Sequence, residues 1–484
     1  MKQLIATISA LCLSVSLSAQ SFEEQYRAFQ QSAKQEYEDF RKAANESYAQ
    51  FLQAAWEYYH ASPAIPQPKE EPVPPVVYEP PVVEPAPQPL PYEDVAPAPQ
   101  PAPQPEPIAP VIENDDHTVP ATISFYGTQM AFRTPASVSS LHLSDISGQQ
   151  LSAAWEILSG NDYNNLLYDC LSARTRYQLC DWAYLTVLQR LSATLCGGQT
   201  NEAVLLQAFL YANSGYQMRL AASQDGRLYM LVGSKYILYD RGYFDVEGTL
   251  FFPLEEITDG VSICAAKFDQ EQALTLQIGQ EQRFACSATQ PIMRTSQDGL
   301  SARFTINSNL IDFYNQYPTG QCGEDFGTRW EVYADTPLPD AVKQQLYPAL
   351  LAGIRGVPEA QAVGRLLHWV QTAFEYEYDD KVWGHDRAFF ASESLYYPYC
   401  DCEDRAILFS RLVRDLLQLD VVLLYYPGHL ATAVCFHQDI RGDYLIRDGK
   451  KYTICDPTYI GAPIGATMPG MDNQTAKVIT LKKQ

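Results

Sequence analysis

Positive charge is scarce in this sequence. Lys and Arg number 34 against 57 Asp and Glu over 484 residues, a formal net charge of −23. Nucleic-acid binding rests on clustered cations that neutralise phosphates, so no nucleic-acid partner is expected. Histidine is scarcer still, at 7 residues, and none stands in a metalloprotease motif. Eleven cysteines are too few for a small disulfide-stapled scaffold. After the N-terminal apolar run, no segment is long and apolar enough to span a membrane. What the chain does contain is 46% hydrophobic and 12% aromatic residues, enough to bury large cores and exclude wholesale disorder.

Residues 1–19 read as a secretory signal peptide. Lys2 precedes an apolar run from Leu4 to Leu17 that ends in the small residues Ser16, Ser18 and Ala19, with cleavage expected after Ala19. The expectation is an exported protein, periplasmic or extracellular, that loses Cys12 with its leader and does not span the membrane. Residues 20–62 follow as an amphipathic helix with an 11-residue repeat. Tyr26, Tyr37, Tyr48 and Tyr59 share one phase, and Phe29, Phe40 and Phe51 a second. Eleven residues over three turns is about 3.67 per turn, so the stripe keeps to one face, as in a coiled coil. Such a helix either docks on its own domain or uses residues 21–60 for self-association or for an exported partner. The second use is favoured because a Pro-rich linker, 63–117, comes next. Nineteen of the 33 prolines fall between Pro63 and Pro110, a composition that reads as an extended spacer unable to pack.

Helical periodicity over Ala153–Leu195 and Ala203–Leu210 gives way to strand patterns and then returns at Pro358–Phe374. Helices grouped apart from strands predict an α+β fold. Residues 251–335, strand-like with Gly and Asp-Gly turns, read as a β-rich connecting domain. The last unit, 336–484, carries the chemistry. Asp401 and Asp404 stand three apart before an apolar run at helical spacing, Leu408, Phe409, Leu412, Val413 and Leu416, which makes Asp401 the N-cap and Cys402 the first helical residue. A thiol there faces the positive end of the helix dipole, which favours the thiolate. The unpaired N–H groups of the first turn suit an oxyanion. His429 heads an apolar strand, and a hairpin opened by Gly449 brings Asp456 beside it. Nucleophile, base and orienting carboxylate thus occur in chain order.

The runs Cys402-Glu403-Asp404-Arg405-Ala406, Gly428-His429 and Asp456-Pro457-Thr458 resemble the transglutaminase-like superfamily, relatives of papain-like cysteine peptidases. Tyr376, Asp386-Arg387 and Glu393-Ser394-Leu395 look like that family's bacterial members. The resemblance covers about Pro337–Pro469. It implies a papain-like transglutaminase core with Cys402 as nucleophile, His429 as base and Asp456 as orienting residue. One departure is Cys400, which stands where the family usually has Gly and sets a second thiol beside the first. An earlier stretch, Gln199–Leu206, overlays Cys402–Phe409, with Gly226-Arg227 at Gly428-His429 and Lys235–Asp240 at the Asp456 hairpin. Residues 118–250 therefore read as a degenerate copy of the unit, with Gln199 at the nucleophile's position.

Trp383, Tyr397 and Tyr399 precede the nucleophile and are candidates for lining a substrate cleft, or for core packing. No metal and no cofactor are expected, because Cys400-x-Cys402 lacks zinc-knuckle spacing. Cys264, Cys286, Cys435 and Cys455 read as buried inert thiols, while Cys170, Cys180, Cys196 and Cys322 could pair. The expected function is an exported cysteine peptidase or transglutaminase-like enzyme, a hydrolase or acyltransferase acting on peptide amide or isopeptide bonds of a peptide or protein substrate. The alternative is a non-catalytic binding or scaffold module that retains the fold.

Overall fold

Two largely antiparallel sheets, each with a helix against one face, organise the chain. The computed structural model describes residues 2–482 except 71, 83–85, 96–104, 115–116, 136–137, 139, 258 and 288–289, and of residues 2–25, 161 and 473 only the backbone. The side chains of the expected leader thus lie outside the described residues. Helix takes 36% and strand 22%, a mixed α+β fold. Among the described residues no helix is long and apolar enough to cross a membrane.

The two sheets share one topology. After the helix Asn201–Asn213 come the strands Met218–Ala222, Leu228–Gly233, Phe244–Val246, Thr249–Pro253 and Val261–Ile263. After the helix Cys402–Leu417 come Val421–Tyr426, His429–Cys435, Tyr444–Arg447, Lys450–Cys455 and Lys477–Thr480. Numbered within its own sheet, each set is ordered 3-4-2-1-5, and in each a strand from the N-terminal region completes the edge beside strand 5. Glu57–Tyr59 does this antiparallel in the first sheet, and Glu93–Val95 parallel in the second.

These added strands explain why the Pro-rich segment does not project as a spacer. A sheet packed on a helix buries alternate side chains on one face and leaves the other set facing outward. In the second sheet that outer set is Val422, Leu424, Tyr426, Ala431, Ala433, Leu445, Tyr452 and Ile454, joined by Leu90 and Tyr92 of the Pro-rich segment. In the first it includes Tyr229, Leu231, Phe244 and Phe251, packed against Tyr59 and Ala61. The segment also satisfies open strand edges that would otherwise pair with another chain. Among its non-prolyl N–H groups, Tyr78 donates to Ile460 O (2.9 Å) and Leu90 to Tyr444 O (2.7 Å); just before the segment, Ser62 donates to Tyr243 O (2.8 Å).

Three sequence boundaries change. The N-terminal helix ends at Leu52 rather than at 62, where the Trp56 indole donates to the Leu52 carbonyl (3.0 Å) and the chain turns into the edge strand that carries Tyr59. The first sheet runs to Ile263, so a boundary at 250 cuts it. The remainder of 251–335 is not a β domain: its main elements are the hairpin Ile292–Thr295/Ser301–Phe304 and the helices Ser308–Tyr314 and Thr328–Asp335. The strand equivalent to Lys450–Cys455 is Thr249–Pro253, whereas Ile237–Leu238 pairs outside the sheet with Gly320–Gln321. Strand periodicity cannot identify which strands are partners, because pairing is a long-range choice.

Among the described residues of the N-terminal helix, the fully buried side chains lie in its last turns. Asn45, Tyr48, Ala49 and Leu52 are buried, and Tyr48 stacks on Phe268 with ring centroids 4.8 Å apart. Phe29 and Phe40, on the same stripe, are 69% and 62% exposed. Tyr48→Ala is therefore expected to lower the unfolding free energy by about 3–5 kcal/mol, the cost of emptying a buried aromatic site. Phe29→Ala is expected to change it by less than about 0.5 kcal/mol. Denaturant titration of the two variants checks the contrast.

Candidate active site

The helix that carries Cys402 starts at that residue, with Asp401 as N-cap in an extended conformation. Each residue of the run that follows has its own task. Asp404 accepts from the Asp401 N–H (3.3 Å) and from the Phe389 N–H (2.7 Å), fixing the turn to the preceding chain. Arg405 donates to the carbonyls of Gln371 (3.2 Å) and Phe374 (3.0 Å), which satisfies groups that the helix Glu359–Thr372 leaves open at its C-terminus. Ala406 is fully buried and small enough for close packing.

His429 heads the second strand of its sheet, and Asp456 follows the fourth, its antiparallel neighbour. This places the imidazole Nε2 2.8 Å from Asp456 Oδ2. The other carboxylate oxygen accepts from the N–H groups of Thr458 (2.9 Å) and Tyr459 (3.2 Å). Gln371 clamps the same loop: its amide donates to the carbonyls of Asp456 (3.0 Å) and Tyr459 (2.8 Å) and accepts from the Gly461 N–H (3.2 Å). With Nε2 engaged, Nδ1 is the ring nitrogen left for other chemistry, and it is buried without a partner.

Cys402 and His429 line one cavity of about 320 Å³. Cys402, His429 and Asp456 are each 3% exposed or less. The thiol, however, donates to Glu403 Oε2 at 3.1 Å. Burial, the Glu403 and Asp401 charges and this hydrogen bond hold the thiol well above its ordinary value, against a weaker opposite pull from the Leu430 N–H. The helix terminus alone predicts a favoured thiolate; burial first, and then the Glu403 and Asp401 carboxylates, outweigh it. Cys400 is buried too and is pushed up to about 11. The ten described cysteines are all free thiols, and Cys286 is exposed rather than buried, because it lies in an irregular segment and not in a strand.

The aromatic lining differs from expectation. Trp383, Tyr397 and Tyr399 do not line the cavity. Trp383 and Tyr397 gather around the Arg387 guanidinium, which sits 4.2 Å from the Trp383 ring, and Tyr399 stacks on Tyr397. Arg387 in turn pairs with the buried Glu393. Trp330, Tyr378 and Tyr425 line the cavity instead.

Carboxylates dominate one wall. Asp379, Asp386 and Glu403 bring one oxygen each within 4.8 Å of one another, a donor set of the kind a hard divalent cation takes. Arg329 already provides positive charge there, 3.0 Å from Asp386. Burial and the Glu403 charge push Asp379 up to about 8.

The first unit can be compared with the second residue by residue at its helix start. Asn201, not Gln199, is the first helical residue, with Thr200 as N-cap. Its side chain donates to Gly226 O (3.0 Å) and accepts from the Leu228 N–H (2.9 Å), at the head of the second strand. Arg227 pairs there with Glu255, just past the fourth strand, at 2.7 Å. Asn201, Arg227 and Glu255 thus stand where the second unit has Cys402, His429 and Asp456, without a thiol or an imidazole.

Two outcomes follow. Glu403→Gln removes a like charge beside the thiol, so it should lower the Cys402 pKa by about one unit. Alkylation of Cys402 at pH 8 should then speed up about tenfold, with the rate in the unaltered chain still rising beyond pH 9. Gln371→Leu leaves buried carbonyls unpaired and is expected to cost about 3 kcal/mol, read by thermal unfolding. Compared with family models, curated proteins and solved structures, the chain matches none of them.

Proposed function

We propose that this chain is an exported thiol enzyme acting on amide or isopeptide bonds of peptides or proteins, built on a papain-like transglutaminase core. One observation carries the reading: a cysteine at a helix start and a histidine held by a buried aspartate on neighbouring strands share one cavity. In the reaction, His429 Nδ1 takes the thiol proton as Cys402 Sγ attacks the carbonyl carbon. The N–H groups of the helix's first turn hold the developing oxyanion. Collapse breaks the C–N bond, His429 returns the proton to the departing amine, and a thioester remains on Cys402. Water, deprotonated by His429, then releases the acid and restores the thiol. Hydrolysis is favoured over amine transfer because water is always present, whereas transfer needs a dedicated acceptor site. Attack requires the thiol to leave Glu403 for His429.

The first unit serves as a degenerate copy that scaffolds the second, a role supported by the shared strand order. The exposed stripe of the N-terminal helix suits self-association or an exported partner. A second reading, a binding module without catalysis, draws on the thiol held neutral against Glu403.

Iodoacetamide labelling separates the two. Cys402 should label at least tenfold faster in the unaltered chain than in His429→Ala, with no label at that position in Cys402→Ser. Equal, slow labelling of the first two would leave only the binding module. A fluorescent primary amine added with a protein substrate then tests transfer: incorporation would overturn hydrolysis as the main outcome.

A further inference from the structure

Part of the cavity wall in front of Cys402 comes from the Pro-rich segment. Lys69, Glu70 and Pro72 line it together with Cys402 and His429. The Glu70 carboxylate accepts from the Tyr425 hydroxyl and from the Gly428 N–H (3.1 Å). Val73 N–H donates to the Gly428 carbonyl at 2.8 Å, so both main-chain groups of the residue before His429 are engaged. Farther on, Tyr78 N–H donates to Ile460 O and Ile460 N–H to Val76 O, both at 2.9 Å, a short parallel bridge centred on Val77. Val73, Val76 and Tyr78 pack on Tyr459, Ala462 and Met468. On the opposite side the Gln67 amide donates to Asp386 O (2.9 Å), and Lys69 pairs with Asp380 (3.1 Å).

The geometry points to a peptide-binding groove that takes an extended, proline-containing chain with an acidic side chain, and to residues 67–70 and 72–78 as its intramolecular occupant, shielding Cys402. Recognition is of the strand-addition kind. Main-chain bonds to Gly428 and Ile460 set the path, and side-chain subsites select. The carboxylate subsite is the Tyr425 hydroxyl with the Gly428 N–H; the apolar subsite is Tyr459, Ala462 and Met468. Prolines suit such an occupant because an extended prolyl chain loses little entropy on binding and leaves few donors unpaired. Tethered on both sides, at Ser62 to Tyr243 and at Leu90 to Tyr444, the occupant acts at a high effective concentration. A peptide from outside gains the groove when the segment is cut or displaced. Occupancy stands on contacts alone; that the groove is a substrate groove rests on Cys402 being the nucleophile.

The test uses the full chain and the variant Glu70→Ala/Val73→Pro, each treated with fluorescein maleimide, too bulky for the closed cavity, and with iodoacetamide, which is small. Label is located by peptide mass mapping. Bulky labelling of Cys402 should be at least tenfold faster in the variant, and iodoacetamide labelling should change less. A synthetic peptide of residues 67–78, added in excess, should slow the bulky label again. Cys455, buried in the sheet, should stay unlabelled throughout, and Glu70→Ala alone should shift the bulky rate in the same direction by less. Equal bulky labelling in both chains overturns the proposal. If amide exchange at Ile460, whose N–H donates to Val76 O, shows the segment released, it does not shield; if not, Glu70 and Val73 do not hold it. Accessibility needs no catalysis, so a His429→Ala effect on iodoacetamide can fail while the groove stands.

Discussion

The hydrogen bond from His429 to Asp456 is the contact on which the site depends. It exists because two adjacent antiparallel strands bring the head of one beside the end of the other. At 2.8 Å and fully enclosed, it decides which imidazole nitrogen is left to work. The enclosing groups are as specific as the pair itself. Asp456 spends its second oxygen on the turn that follows, and Gln371 fastens that turn from the helix behind it. Arg405, three residues after Cys402, ties the Cys402 helix to the end of the Gln371 helix. Cys402, His429 and Asp456 are therefore linked through one hydrogen-bonded scaffold, where a lost partner leaves another polar group buried and unpaired.

A second constraint shapes the rest of the chain. Each sheet is covered by its helix on one face only, so each needs a cover for the other face and for one open edge. The N-terminal region provides both in turn, passing from the edge of the first sheet, across the cleft, to the edge of the second. One segment thus ties the two units together and lies over the cavity. The closed state is chemically consistent with this: the thiol is buried, turned to Glu403 and held neutral by its acidic surroundings.

The local parts of this arrangement were legible in the sequence. Asp401 and Asp404 with the apolar run after them mark the helix start, and an apolar run after Gly428 marks the strand headed by His429. Segments whose structure is decided by distant partners were not. Pro63–Pro110 has the composition of a spacer, and only the uncovered sheets show why it packs. Trp330 reaches the cavity from a remote element, while Trp383, Tyr397 and Tyr399, close to Cys402 in sequence, turn to Arg387. The shared helix-and-strand pattern was visible, but aligning side-chain types shifted it by two residues; the helix start places Asn201 at the position of Cys402. The effect of Glu403 on the thiol needed the third dimension as well, because the helix dipole and the adjacent carboxylate act in opposite senses.

Transfer of an acetyl group from p-nitrophenyl acetate, a probe small enough for the cavity, is the most direct test that Cys402 and His429 act as a unit. Intact-mass measurement over time, with the acetyl group located by peptide mapping, reads both formation and loss of the thioester. In the unaltered chain the acetyl group should appear on Cys402 and turn over. In His429→Ala it should form slowly and persist, because nothing activates the water that removes it. Formation and loss at the same rates in both chains would contradict a catalytic role for His429.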